Sequence, residues 1–152
     1  MLKLDNVSWK SEEGKEILQN VTFQIPQNKF VVITGPNGGG KTTTAKLIAG
    51  LMSPTSGTIT FNGTDITKLD ATDRAKAGIG YAFQQPVRFK GITVKELIEV
   101  ATGRDLTENE SCAILTEVGL CAKEYVNREV NDSLSGGEIK RIEIATVLAR
   151  KA

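Results

Sequence analysis

The chain has 152 residues, 39% of them hydrophobic, and its 19 basic side chains are balanced by 18 acidic ones. This length and apolar content suit an ordinary folded domain. The basic residues form no dense block, so no nucleic-acid partner is expected. No run approaches the roughly 18 apolar residues of a membrane-spanning helix, and no signal peptide is expected before the strand-like start at residues 1–4.

The N-terminal part of the chain has the alternating pattern of two β-strands. Residues 2–9 predict the first strand, with a bulge near Asp5 and Asn6, where the alternation changes phase. Residues 12–15 indicate a turn, and residues 16–25 predict a second strand that Pro26 ends.

A glycine-rich segment at residues 35–42 fits the phosphate-binding pattern G-x-x-x-x-G-K-[ST]. The apolar run at 30–34 predicts a buried strand before it, and residues 41–51 predict a helix after it. Glycines allow a close backbone approach, and the helix N-terminus favours an anion. Lys41 is expected to reach β- and γ-phosphates and the Thr42 hydroxyl to bind Mg²⁺. The predicted phosphate-binding residues are Gly35, Pro36, Asn37, Gly38, Gly39, Gly40, Lys41, Thr42 and Thr43.

Three further elements are predicted between residues 58 and 84. Residues 58–61 and 64–66 flank Asn62 and Gly63, a dipeptide that favours a β-hairpin with a type I′ turn. Residues 70–77 predict a short helix, and residues 79–84 predict a short strand that ends in Gln84.

Residues 85–133 show helical patterns and no strand. Capping boxes that start at Thr93 and Thr107 predict helices to about Ala101 and Val118, and Gly119 is expected to end the second. Residues 85–89 are interpreted as a flexible segment leading into this region. Cys112 and Cys121 lack metal-ligand spacing, and both are interpreted as reduced thiols of a cytoplasmic protein.

The last predicted helix starts at the sequence Leu-Ser-Gly-Gly-Glu. Ser135 is a favourable N-cap and Glu138 completes a capping box, while apolar residues follow at helical spacing: Ile139, Ile142, Ala145 and Leu148, widened by Ile144 and Val147. Gly136 and Gly137 cost about 1 kcal/mol each relative to alanine in a helix. A backbone that a ligand must approach closely would explain both glycines.

In their order and spacing, the glycine loop, Gln84 and the segment from Leu134 to Glu138 resemble the ATP-binding cassette (ABC) ATPases, along the whole chain. The resemblance implies an α/β P-loop NTPase fold with an ABC-type core, an antiparallel β subdomain and an α-helical subdomain. It also implies a nucleotide-binding core at 1–84, a helical subdomain at 85–133 and a signature segment with its helix at 134–152. A partial parallel sheet around the strand at 30–34 is expected.

The resemblance implies MgATP as the cofactor, with Gln84 at the position that contacts Mg²⁺ and the attacking water. It implies that Ser135, Gly136, Gly137 and Glu138 contact an ATP held by a second ABC domain in a head-to-tail dimer. An aromatic residue at the end of the first strand stacks on adenine in this family. Trp9 either does so or packs on the sheet, because the usual position falls on Ser11.

Two elements of the family pattern do not occur among the 152 residues. There is no apolar run ending in Asp-Glu, the Walker B element, and no histidine for the switch position. The resemblance is therefore to the N-terminal part of an ABC domain, and Gln84 is the only catalytic position that is matched. We expect either a subunit that hydrolyses ATP with a partner or a fragment that binds ATP without hydrolysis. A lone monomer is not expected, because the strand at 30–34 would lack neighbours. Three arrangements could accommodate a strand without neighbours. They are self-association, a separate chain that supplies the missing half, and a mobile last helix.

Two biological roles remain open from the sequence. One is the ATPase subunit of a membrane transporter, bound to a permease; Leu134 and residues 92–94 suit it. The other is the ATPase of a Suf-type iron–sulfur assembly scaffold, favoured slightly by three segments: residues 73–75, residues 82–87 with Gly91, and Lys140, Arg141 and Glu143 after the signature. Either role places the protein in the cytoplasm, at the inner face of the membrane where a permease holds it.

Overall fold

The computed structural model describes residues 1–85, 89–120 and 122–150. They divide into an N-terminal unit, Met1–Ile79, and a helical unit, Gly80–Ala152, and each is described by itself.

The N-terminal unit is built on a four-stranded antiparallel sheet with the order β2-β1-β3-β4. Its strands are β1 (Leu2–Lys10), β2 (Glu16–Ile25), β3 (Ser56–Phe61) and β4 (Thr64–Asp65). Strand β1 is central and pairs with both β2 and β3. The two N-terminal strands and the hairpin predicted from the alternation are confirmed.

The predicted bulge in β1 lies where the sequence placed it. The register of β1 against β2 shifts between Leu4 and Val7, and Asn6 has a φ of 49°. A bulge changes which face the following residues occupy. Leu4 and Val7, three positions apart, are therefore both fully buried. The β3–β4 turn is also as predicted, since Asn62 and Gly63 both have positive φ, 49° and 84°, as a type I′ turn requires.

Two short helices complete the N-terminal unit. Helix α1 (Lys41–Ala49) ends at Gly50, which has a left-handed φ of 78°. Helix α2 (Ala71–Lys76) is capped by the Asp70 side chain, which accepts from the Asp73 backbone N–H. The core beneath the sheet comprises Leu2, Leu4, Val7, Leu18, Leu47, Ile59 and Ile66.

The predicted strands at 30–34 and 79–84 are wrong. Neither segment belongs to a strand, and no parallel pairing occurs among the described residues. A strand needs a hydrogen-bonded partner, and no described segment pairs with either of these two. Residues 30–34 consequently lie outside the sheet, and Phe30 is 93% exposed.

The helical unit contains α3 (Val94–Thr102), α4 (Glu108–Glu117), α5 (Ala122–Tyr125) and α6 (Gly136–Ala149). Both predicted capping boxes are present, at Thr93 with Glu96 and at Thr107 with Glu110. Gly119 follows α4 with a φ of 72°, as expected of a helix stop. The described residues in this region form one isolated bridge and no strand. The predicted flexible segment falls partly on residues 86–88, which lie outside the described residues, as does Cys121; Cys112 is a free, half-buried thiol.

The apolar stripe of α6 differs from the prediction at its C-terminal end. Ile139, Ile142 and Ala145 are buried, as predicted, and Ala149 joins them. Leu148 and Ile144 are 38% and 42% exposed. Successive residues turn by about 100° around a helix, which places Leu148 roughly opposite Ile139. The buried face therefore continues through the small side chain of Ala149.

The cap of α4 gives a pH-dependent contribution to stability. Hydrogen bonds from the Thr107 backbone N–H and hydroxyl, together with Arg104, lower the pKa of Glu110 from 4.5 to about 2. A depressed carboxyl pKa stabilises the folded state above the unfolded pKa, and this is lost as pH falls through the folded value. We expect Glu110→Gln to be less stable than the parent at pH 7, with the difference narrowing between pH 4.5 and 2.

Thermal unfolding followed by circular dichroism across this pH range tests the prediction. Glu108→Gln is the matched control, because it removes the same charge from the same helical turn without removing a cap partner. A stability difference for Glu110→Gln that stays constant from pH 7 to pH 2 would contradict the assignment.

Candidate nucleotide-binding site

The glycine loop leads directly into α1. Gly38 and Gly40 have φ values of 79° and 85°, in the left-handed region that favours glycine. At Gly40 a Cβ would also lie 2.5 Å from the Leu18 Cδ2 atom of β2, so the Leu18 side chain would have to shift to admit it. The Gly39 N–H donates to the Pro36 carbonyl at 3.1 Å, which closes a turn within the loop.

Helix α1 begins without a side-chain cap. Its N-cap is Gly40, and no acidic residue lies in its first turn. Helices α2, α3, α4 and α6 instead begin with side-chain caps from Asp70, Thr93, Thr107 and Ser135. The free N–H groups and the positive dipole end of α1 therefore suit an external anion.

The Lys41 ammonium is held close to this helix end. Its Nζ donates to the Gly35 and Pro36 carbonyl oxygens at 2.7 and 2.6 Å. Lys41 and the loop line an open cavity of about 560 Å³, with Val31, Val32 and Ile33 on its apolar side. The cation thus lies beside free helix N–H groups at the edge of a cavity.

The predicted magnesium ligands lie in different units. The Thr42 side chain is exposed in the first turn of α1, and Gln84 is exposed in the helical unit. Hydroxyl and amide oxygens are hard ligands of the type Mg²⁺ accepts. Within the described ranges no group of three or more His, Cys, Asp or Glu residues could hold a metal ion.

The predicted signature segment forms the N-terminus of α6. The Ser135 hydroxyl accepts from the Glu138 N–H at 3.3 Å, and the Glu138 carboxylate accepts from the Ser135 N–H at 2.6 Å. Ser135, Gly136 and Gly137 are exposed. Neither glycine has a positive φ, and a Cβ at either would meet nothing within 4 Å. No contact in the described part of the chain accounts for these glycines.

Sequence reasoning missed a partner of Glu138. The Tyr125 hydroxyl, at the end of α5, donates to Glu138 Oε1 at 2.5 Å. This hydrogen bond, followed by those from Ser135, lowers the pKa of Glu138 to about 2. The same contact raises the pKa of Tyr125. Nothing local in the sequence signals a contact between two residues that a loop separates.

Arg74 was also missed as a structural residue. It is 1% exposed, and its guanidinium donates to the carbonyl oxygens of Leu47, Ile48, Thr67 and Leu69. Burial lowers the pKa of Arg74. Two of its acceptors lie in the last turn of α1, so Arg74 holds the end of the helix opposite the glycine loop.

Trp9 is half-buried and packs against the core of the N-terminal unit. Packing on the sheet is thus one role that Trp9 fulfils. Its contact with an adenine base remains a prediction.

A glycine-rich loop, an uncapped helix and a lysine at the first helical position together define the phosphate site of P-loop nucleotide-binding proteins. Similarity to known proteins shows which family of P-loop proteins this chain belongs to. Residues 18–152 match the family model described as ABC transporter. The chain therefore belongs to the ABC transporter family of ATP-binding proteins.

Individual relatives agree with this family. The chain is 38% identical over 143 residues to an uncharacterised ABC transporter ATP-binding protein of Methanocaldococcus jannaschii, covering 89% of this chain and 57% of the relative. It is 32% identical to the lipopolysaccharide export system ATP-binding protein LptB of Haemophilus influenzae, covering 98% of this chain and 63% of that protein. The chain thus spans about six tenths of the length of these curated relatives.

Solved structures support the predicted fold class. A dimeric ATP-binding cassette in a post-hydrolysis state, bound to ADP and Pi, matches with a TM-score of 0.85 at 28% identity, over 99% of this chain and 70% of that chain. An Atm1-family ABC exporter with ATP bound matches with a TM-score of 0.83 at 30% identity, over 98% of this chain and 27% of that chain. The P-loop NTPase class with antiparallel β and helical subdomains is confirmed. No helix among residues 1–85, 89–120 and 122–150 is long and apolar enough to cross a membrane.

Proposed function

We propose that this chain is the ATP-binding part of an ABC transporter ATPase and that it binds MgATP at the glycine loop. The observation that carries the proposal is the uncapped N-terminus of α1, with the Lys41 ammonium beside it. Proteins of this family bind ATP with Mg²⁺. Saturable binding of MgATP in titration calorimetry is the expected result, and absence of binding would refute the proposal.

The loop residues have separate roles in this proposal. The N–H groups of Gly38 and of Gly40 to Thr43 hold phosphate oxygens, as free donors at a positive helix end do. The Gly39 N–H, which donates to the Pro36 carbonyl, exchanges that bond for one to phosphate. Lys41 exchanges its bonds to the Gly35 and Pro36 carbonyls for bonds to β- and γ-phosphate oxygens. Bound Mg²⁺ would neutralise phosphate charge, with Thr42 and Gln84 supplying protein oxygens.

The signature segment is proposed to act on a nucleotide held by a second ABC domain in a head-to-tail dimer. The Ser135 hydroxyl and the Gly137 N–H are exposed at a dipole-positive helix end. The Ser135 oxygen accepts from Glu138, so its own proton remains available to donate to a phosphate. The two glycines, which no described contact requires, leave space for that phosphate.

A membrane permease is the proposed partner of the helical unit. Binding to the permease would hold the protein at the inner face of the membrane. Phe83, Phe89 and Val100 are exposed apolar residues around a cavity of about 190 Å³ in this unit, a surface suited to another protein. The Suf-type alternative is based on residues 73–75, residues 82–87 with Gly91, and the residues after the signature, of which Lys140 and Glu143 form an ion pair at 2.7 Å. Flanking permease genes would favour the first partner, and flanking Suf scaffold genes the second.

A second candidate function is ATP binding without steady-state hydrolysis. The chain contains no histidine and no apolar run ending in Asp-Glu, so no residue matches the general base of the family. A positioned base contributes about 10²–10⁴-fold to a rate. We expect negligible phosphate release by this chain alone at saturating MgATP. Turnover of several per second that Lys41→Ala abolishes would contradict this candidate.

We further propose that another chain or segment covers residues 30–33. Phe30, Val31, Val32 and Ile33 are all exposed, and three of them line the cavity beside the glycine loop. Exposed apolar runs of this kind favour association. Light scattering that shows a monodisperse monomer, together with hydrogen exchange protection of these amides, would refute the proposal.

A further inference from the structure

The Glu138 carboxylate poses an electrostatic problem for the signature segment. The segment is proposed to receive the phosphate of a bound nucleotide, which is an anion. Glu138 places a second negative charge within the first turn of the same helix. A mobile carboxylate there would repel the phosphate and compete for the same N–H groups.

Both oxygens of this carboxylate are engaged by other donors. Oε1 accepts from the Tyr125 hydroxyl at 2.5 Å, and Oε2 accepts from the Ser135 backbone N–H at 2.6 Å. These bonds fix the charge within the capping box. The exposed N–H groups of Gly136 and Gly137 are not used by Glu138 in this arrangement.

Tyr125 is itself held in place. Its ring packs against the hydrophobic core of the helical unit, and the Arg128 guanidinium lies 5.1 Å from the ring centre. The ring is half-buried and is held by both the core and Arg128, which limits where its hydroxyl can point. Tyr125 therefore holds the carboxylate from outside α6, whereas the Ser135 N–H belongs to the N-cap residue of the same helix.

We infer that Tyr125 is a positioning residue of the signature segment: it anchors the Glu138 carboxylate away from the phosphate position, leaving the Ser135 hydroxyl and the Gly137 N–H to bind the phosphate. The inference rests on the proposed role of this segment in a head-to-tail dimer. Tyr125 acts through Glu138, and neither side chain is proposed to touch the nucleotide. This positioning role replaces the ATP contact that the family resemblance implies for Glu138.

The test is a double-mutant cycle on MgATP-dependent self-association of the full 152-residue chain, measured by sedimentation velocity. Tyr125→Phe removes only the hydroxyl and is expected to weaken association by roughly tenfold, the effect of losing a hydrogen bond to a charged group. In a Glu138→Gln background the same change is expected to cost less than about twofold, because no charge remains to be held. Tyr81→Phe, another half-buried tyrosine of the helical unit, is the matched control and should leave association unchanged.

Four outcomes decide the inference. Equal losses for Tyr125→Phe in the parent and in the Glu138→Gln background would indicate a general packing role and overturn it. Unchanged association of Tyr125→Phe would overturn it alone, with the proposed function intact. A parent chain that binds MgATP in calorimetry but does not associate would overturn both the dimer and the inference. If circular dichroism shows that Tyr125→Phe does not fold, Glu138→Gln alone decides: association at or above the parent level supports the inference, and loss of association overturns it.

Discussion

Lys41→Ala is expected to weaken MgATP binding by about 2–3 kcal/mol, roughly 30- to 140-fold in Kd. The Lys41 ammonium lies at the glycine loop, where it donates to the Pro36 carbonyl at 2.6 Å and to the Gly35 carbonyl at 2.7 Å. Its charge offsets phosphate repulsion at close range, and no acidic residue lies in the first turn of α1 to oppose it. Titration calorimetry with MgATP measures the change directly.

Two controls distinguish the loss of the Lys41 charge from a loss of folding stability. Lys46→Ala removes a basic residue from the last turn of the same helix and should bind MgATP like the parent. Because Lys41 also bonds two loop carbonyls, thermal unfolding without nucleotide must be compared for Lys41→Ala and the parent. Equal affinities for Lys41→Ala and the parent would remove the basis for assigning a phosphate site to the loop.

Arg74→Ala is expected to lower the free energy of unfolding by about 3–5 kcal/mol. A buried carbonyl left without a donor costs about 1–3 kcal/mol, but three of the four acceptors are only partly buried and the Leu47 carbonyl keeps the Gly50 N–H as a donor. Arg74 supplies donors to four carbonyl oxygens, those of Leu47, Ile48, Thr67 and Leu69. A domain has only about 5–15 kcal/mol of stability in total, so this loss would remove between about a fifth and all of it. Arg74→Lys should recover little, because one ammonium cannot match the spread of a guanidinium.

Trp9 offers a direct measurement of this effect. It is the only tryptophan in the chain and packs on the core of the N-terminal unit, so its fluorescence in urea reports the unfolding of that unit. Lys76→Ala, an exposed residue of the same helix α2, is the control and should shift the midpoint little. An Arg74→Ala midpoint that matches Lys76→Ala would show that the buried contacts contribute little.

Features encoded by a few neighbouring residues were predictable from the sequence. The capping boxes at Thr93 and Thr107 and the turn at Asn62 and Gly63 depend on residues within one turn of each other. The phase change near Asn6 likewise signalled the bulge. The glycine loop and the helix after it are local in the same sense, which is why the phosphate-binding residues could be proposed from the sequence.

Features that depend on distant partners were not predictable in the same way. Residues 30–34 have the composition of a strand, but a strand forms only where another segment pairs with it. Arg74 resembles a surface residue of a polar helix until the carbonyls at the end of α1 are placed around it. Tyr125 contributes to the signature segment only through the packing of α5 near the start of α6. These contacts join residues that the chain order keeps apart.

Helix α1 lacks the side-chain N-cap that α3, α4 and α6 have, and this difference affects how firmly its first turn is held. A helix nucleates with difficulty, and a side chain that closes its first turn lowers that barrier. Helices α3, α4 and α6 carry such side chains at their N-caps, whereas the N-cap of α1 is a glycine. Its first turn should therefore exchange its amide hydrogens faster than theirs, and a bound phosphate should slow that exchange by taking the place of the missing cap. Part of the nucleotide affinity would then be used to order the helix that holds the nucleotide.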